Sequence, residues 1–133
     1  MIDKENEVYT LVKKAIIAEY PNADISSIYV PTVATFPHIS IVQTDSVENT
    51  EYMDSSNTEK LVTLNFQIDI YSNDFTKAKT ECKKILNIVD NTLKRKNFRR
   101  TVLTPVPNQN DATIYRLTAQ YTVSATKNYF YNA

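Results

Sequence analysis

The stretch "LVTLNFQIDIYS", Leu61–Ser72, decides the fold. Val62, Leu64, Phe66, Ile68 and Ile70 take alternate positions, and Thr63, Asn65, Gln67 and Asp69 lie between them. Five consecutive matches to a period of two describe a strand with one apolar and one wet face. A strand of that kind needs antiparallel neighbours and a layer packed on its apolar side only. The clearest neighbour comes late in the chain, where Tyr115, Leu117, Ala119, Tyr121, Val123 and Ala125 alternate with Arg116, Thr118, Gln120, Thr122 and Ser124. Upstream, Ile39 and Ile41 alternate with Ser40 in a short strand that starts just after Pro37, where a missing N–H is tolerated. Ile28 and Val30 suggest a weaker edge strand, and "FRRTVLTPV" a further one interrupted by Pro105 and Pro107.

Two helical segments supply the packing layer. Val8, Leu11, Val12, Ala15 and Ile16 recur at helical spacing, which predicts a helix over 3–19 that ends at Tyr20–Pro21. Asp3, Glu5 and Glu7 near its start suit the positive end of its dipole. "SND" offers a cap at Asn73 or Asp74 for a second helix over 74–96. Ala78, Cys82, Ile85, Leu86, Val89 and Leu93 form its buried stripe, with Lys77, Lys84 and Arg95 opposite and Lys83 and Lys94 on the flank. Ile88 falls at the stripe's margin, either as filler at the edge of the core or as a contact for another subunit. The expected fold is α+β in the order α-β-β-β-α-β-β, a mostly antiparallel sheet covered on one side by two helices. One domain spans 1–133, with an acidic extended hairpin loop over 44–60 and an aromatic tail over 127–133.

The 133 residues carry 15 basic and 15 acidic side chains, yet the balance is uneven along the chain. Residues 1–59 hold ten acids and three bases (3 − 10 = −7), and residues 60–133 hold five acids and twelve bases (12 − 5 = +7). Either the halves occupy opposite surfaces or they interleave and their fields cancel. No apolar run is long enough to span a bilayer, and "MIDKENEVYT" lacks a secretory core, so a soluble protein made in a cytoplasm is expected.

Glycine is absent, which removes the phosphate-cradling loop, the dinucleotide fingerprint and the nucleophile elbow. Left-handed turn positions fall to Asn and Asp. His38, the single histidine, reads as a partly exposed strand-end residue without a metal or catalytic cluster. Cys82 lies on a core stripe, where a thiol behaves as a small hydrophobe. The insert's Asp45, Glu48, Glu51, Asp54 and Glu59 lack the glycine turn and spacing of a calcium loop. No catalytic, cofactor or metal residues are therefore expected, and no enzyme. The basic run Lys77–Arg100 admits a nucleic-acid face, although no aromatics interleave with its charges on the helix.

Several features together resemble the tail terminator family of long-tailed bacteriophages. They are an N-terminal helix ended by Tyr20–Pro21, the segment "TFPHISI" (Thr35–Ile41), a long hairpin, a strand ending in "IDIYS", a long basic helix and two closing strands. The resemblance is one of pattern and covers nearly the whole chain. Phage head-closure and neck proteins, and the collar of phage-tail-like bacteriocins, are similar in outline. The family resemblance implies a structural virion protein without a cofactor. It implies a homo-oligomeric, six-membered ring that caps the head-proximal end of the tail tube. Such a ring ends tube polymerisation and presents a docking surface to the head–tail connector. DNA would pass through its lumen without sequence-specific binding, and no membrane is involved. Within that picture the acidic arm (Asp45, Glu48, Glu51, Asp54, Glu59), with Tyr52 and Met53 as apolar anchors, is expected to reach a neighbouring subunit or the tube. The complementary face would be basic, with Lys77, Lys84, Arg95, Arg99 and Arg100, and with Ile88 at its margin as an apolar contact. Tyr129 and Phe130 are expected to pack on their own sheet edge or on the adjacent protomer. A small nucleic-acid-binding protein is the alternative from a different class.

Overall fold

A computed structural model describes residues 1–30, 33–49, 61–74, 76–107 and 113–132. The elements, in chain order, are α1 (Glu5–Glu19), β1 (Asp24–Ser26), β2 (His38–Glu48), β3 (Val62–Ser72), α2 (Ala78–Lys94), β4 (Arg99–Pro107), β5 (Tyr115–Ala125) and β6 (Phe130–Tyr131). The fold is α+β. One sheet runs in the order β1-β2-β3-β5-β4, with β6 added to β5 beyond the start of β4. Among the described residues only the β1–β2 pair is parallel.

The alternation read from Leu61–Ser72 places Val62, Leu64, Phe66, Ile68 and Ile70 wholly inside. They join Leu117, Ala119, Tyr121 and Val123 of β5, Val8, Val12 and Ile16 of α1, and Cys82, Ile85, Val89 and Leu93 of α2 in one core. Both helices therefore lie on one side of the sheet. Burying each large aliphatic side chain contributes about 1.5–3 kcal/mol, so this two-layer interior is the main source of stability. Asn97, just past α2, has φ 70° and takes the left-handed position that glycine would otherwise fill.

Several expectations need correction. The early edge strand is Asp24–Ser26, and Ile28 and Val30 lie outside it. The carbonyl of Ile28 instead accepts bonds from the Ser26 and Ser40 hydroxyls, so local side-chain bonding replaces a ladder there. α2 starts at Ala78, because the Asp74 carboxylate caps a preceding turn through the Thr76 N–H. β4 runs unbroken through Pro105 and Pro107, which its position at the end of the sheet permits. The tail adds a sixth, two-residue strand. The expected loop over 44–60 begins as strand: β2 continues to Glu48, still paired with β3. His38, expected to be partly exposed, is 2% exposed.

Candidate assembly interface

The strands of the two charge halves lie at opposite edges of the sheet, whereas in the helical layer α1 packs beside α2. α1, β1 and β2 come from residues 1–59, and β3, β5, β4, β6 and α2 from the remainder, so β2 and β4 are separated by two intervening strands. Between described residues the ion pairs are Lys4–Glu7, His38–Asp24, Lys94–Asp90, Arg100–Asp90 and Arg116–Asp69. None joins an acid of the first half to a base of the second.

On the acidic edge, Thr44, Asp45, Ser46, Val47 and Glu48 are all exposed, with Val47 at 55%. A register shift at Thr44 turns the strand over. Ile39, Ile41 and Gln43 pair with the core-facing Ile70, Ile68 and Phe66, whereas Asp45 and Val47 pair with the outward Asn65 and Thr63. Asn65 then donates its side-chain amide to Asp45 at 2.6 Å. Glu51, Tyr52, Met53, Asp54 and Glu59 lie outside the described residues.

The basic edge is built around a buried acid. Asp90 of α2 accepts from the Tyr121 hydroxyl at 2.9 Å and from Arg100 at 3.0 Å, and pairs with Lys94 at 3.0 Å. Burial alone would raise its carboxyl. Hydrogen bonds from Lys94 and Tyr121, with the Arg100 guanidinium nearby, outweigh that and hold it below its ordinary value. Burial, and then the bond to Asp90, pushes the Tyr121 hydroxyl up. Arg100 of β4 is thus held against α2, where an open groove of about 400 Å³ is lined by Lys83, Lys84, Leu86, Asn87 and Leu103 among others. Lys77, Lys84, Arg95 and Arg99 are exposed, while Ile88 packs half-buried at the core margin.

The aromatic tail joins this edge. Phe130 packs on Phe98 with ring centres 5.4 Å apart, and the Lys4 ammonium lies 5.3 Å from its ring. Tyr129 and Tyr131 stay outside as an exposed pair, 6.3 Å apart. The structure thereby gathers Arg99, Tyr129 and Phe130 at one corner. Lys77, at the start of the second helix, is not part of that corner, because α2 runs away from it before the chain returns as β4.

Sequence reasoning missed three groups. Asp90 lies unremarked inside the basic run Lys77–Arg100, although its i,i+4 spacing to Lys94 is a usable signal. Leu103 and Val47 look like ordinary strand residues until the exposed edges are seen. The third is a polar cluster: His38 Nδ1 lies 2.9 Å from Asp24 and Nε2 lies 3.3 Å from the Ser26 hydroxyl. The order Ser–His–Asp looks like a nucleophile relay, but the Ser26 hydroxyl also donates to the Ile28 carbonyl at 2.9 Å, and His38 is sealed from solvent. That arrangement ties β1 to β2 and leaves a substrate no approach to the imidazole.

No protein-family model matches the chain, and no curated protein sequence matches it. Among the described residues no three His, Cys, Asp or Glu side chains are grouped to hold a metal ion, and no helix is long and apolar enough to cross a membrane.

Proposed function

We propose that the protein is a structural virion component that forms a closed ring at the head-proximal end of a phage tail tube. There it ends tube polymerisation and presents a docking surface to the head–tail connector. The observation that carries this reading is the separation of charge onto opposite sheet edges. An acidic edge and a basic edge on one rigid body suit heterologous contacts, and identical copies joined that way close into a ring when the rotation allows. Electrostatic matching sets register and encounter rate, and apolar groups between the charges add affinity. The ring works by binding alone, with no cofactor, and DNA passes through its lumen without base-specific contacts.

The deciding experiment is the mass of the purified protein by native mass spectrometry, with and without purified tail tubes. A discrete multimer that appears or is stabilised with tubes supports the reading, and a monomer in both conditions overturns it. Capture of tube protein and of connector protein in separate pull-downs distinguishes a terminator from another neck component. One observation favours a second reading: Lys83, Lys84 and Arg100 rim a single groove, which suits a phosphate backbone. A gel shift that weakens steeply with salt, together with a monomeric mass, would favour nucleic-acid binding instead.

A further inference from the structure

Among the described residues, both edges of the sheet are closed at the same end and open at the other. On the acidic side β1 covers His38, Ile39 and Ser40 of β2, and among the described residues no strand pairs with its outer edge from Ile41 to Glu48. On the basic side Pro105 and Pro107 sit level with Leu117 and Tyr115. Two prolines two residues apart point their nitrogens the same way, and a ladder tolerates them only where that way is outward. Strand addition is thus blunted along that half of β4. Pro105, Leu117, Ile70 and Ile39 form one row across the sheet, so β1 and the prolines close the same end.

At the open end the rows link residues of opposite character. Asp45 pairs with Asn65, Asn65 with Thr122 and Thr122 with Arg99. Val47 pairs with Thr63, Thr63 with Ser124 and Ser124 with Tyr131. Each row runs from the acidic to the basic edge on the face away from the helices. Four strands at about 4.8 Å spacing keep its ends about 14 Å apart, so the two ends cannot meet within one copy. Strand directions alternate through β2, β3, β5 and β4, which makes β4 of one copy antiparallel to β2 of a copy set beside it in the same orientation.

We infer that copies of this chain join side by side at the open end, with Asp45 and Val47 of one copy against Arg99 and Tyr131 of the next. Neighbouring copies need no displacement along the strands to bring an anion to a cation and an apolar side chain to an exposed aromatic. Val47 is 55% and Tyr131 47% exposed, and Tyr129 backs the tyrosine ring. The contact deepens the ring reading and rests on it for closure into a circle.

Paired cysteines test the contact. Val47→Cys and Tyr131→Cys in one chain should give a ladder of disulfide-linked multimers under mild oxidation, and either substitution alone should stop at dimers or monomers. The native Cys82 does not interfere, since it is buried and its thiol is pushed up to about 12 by burial and then by Glu81. Charge reversal provides a second readout: Asp45→Arg or Arg99→Asp alone should weaken self-association about tenfold or more, and the two together should restore it. Circular dichroism confirms that each exposed variant is folded. A multimer that forms without the cross-link and ignores both reversals overturns this contact and leaves the ring reading standing. A monomer that neither cross-links when concentrated nor assembles with tail tubes overturns both.

Discussion

Replacing Asp90 by alanine removes the acceptor of a hydroxyl that stays inside: Tyr121 is fully buried and its OH bonds Asp90 at 2.9 Å. An orphaned buried donor costs about 1–3 kcal/mol. Losing the partner of Lys94 and Arg100, whose side chains are 55% and 35% exposed, adds only about 0.2–1 kcal/mol for each partly solvated pair. Asp90→Ala should therefore destabilise by about 2–4 kcal/mol, or about 10 °C in Tm for a domain of this size. Tyr121→Phe removes the donor too, and should cost only about 0.5–1.5 kcal/mol. The sharper expectation concerns the double variant. Adding Tyr121→Phe to Asp90→Ala deletes the orphan and should recover about 1 kcal/mol, so that two substitutions are less harmful than one. Urea unfolding of the four proteins, with a common m-value, measures this directly. If the double variant is as unstable as the sum of the singles, the hydroxyl is not orphaned and the reasoning fails. Because the same carboxylate holds Arg100 beside the groove, Asp90→Ala should also loosen the basic edge.

Other expectations follow from the same chemistry. Asp69 is 2% exposed and accepts from Arg116, Thr118 and Gln67, so Asp69→Ala should cost about 3–5 kcal/mol by leaving the half-buried guanidinium unpaired, as chemical denaturation would show. Since the folded Asp90 carboxyl lies below its unfolded value of about 3.9, its contribution is present above that value and is lost as pH falls through the lower folded one. The urea midpoint should drop in that acid window, and Asp90→Asn should flatten the drop; an unchanged slope would exclude Asp90 as its source. Cys82 should react with a thiol reagent only at the rate of unfolding, and prompt labelling of the native protein would contradict its burial. Deleting the residues after Lys127 should lower stability, through loss of the Phe130–Phe98 contact, and weaken assembly together, as melting and native mass would show.

Local pattern carried most of the architecture. The alternation in Leu61–Ser72 and Tyr115–Ala125 and the helical stripes around Val12 and Cys82 depend on neighbours within a few residues, and each appears where its period puts it. Local signals failed where a distant strand decides the outcome. Pro105 and Pro107 argue against a strand by themselves, yet β4 tolerates them because it lies at an edge, and edge position is a property of strand order. His38 looked exposed because its partner Asp24 lies fourteen residues away on a strand too short to announce itself.

The candidate interface divides the same way. Amino-acid order alone determined that acids crowd residues 1–59 and bases the rest, for charge is a count and needs no geometry. Where their strands fall was set by the sheet order, which puts β2 and β4 on opposite sides of β3 and β5. By parity along β2, Asp45 and Val47 would share the core face with Ile39 and Ile41; one extra residue at Thr44 carries them to the outer face, level with Arg99 and Tyr131 across the sheet. A bulge and a register come from hydrogen bonding between strands remote in sequence, and only the assembled sheet has them.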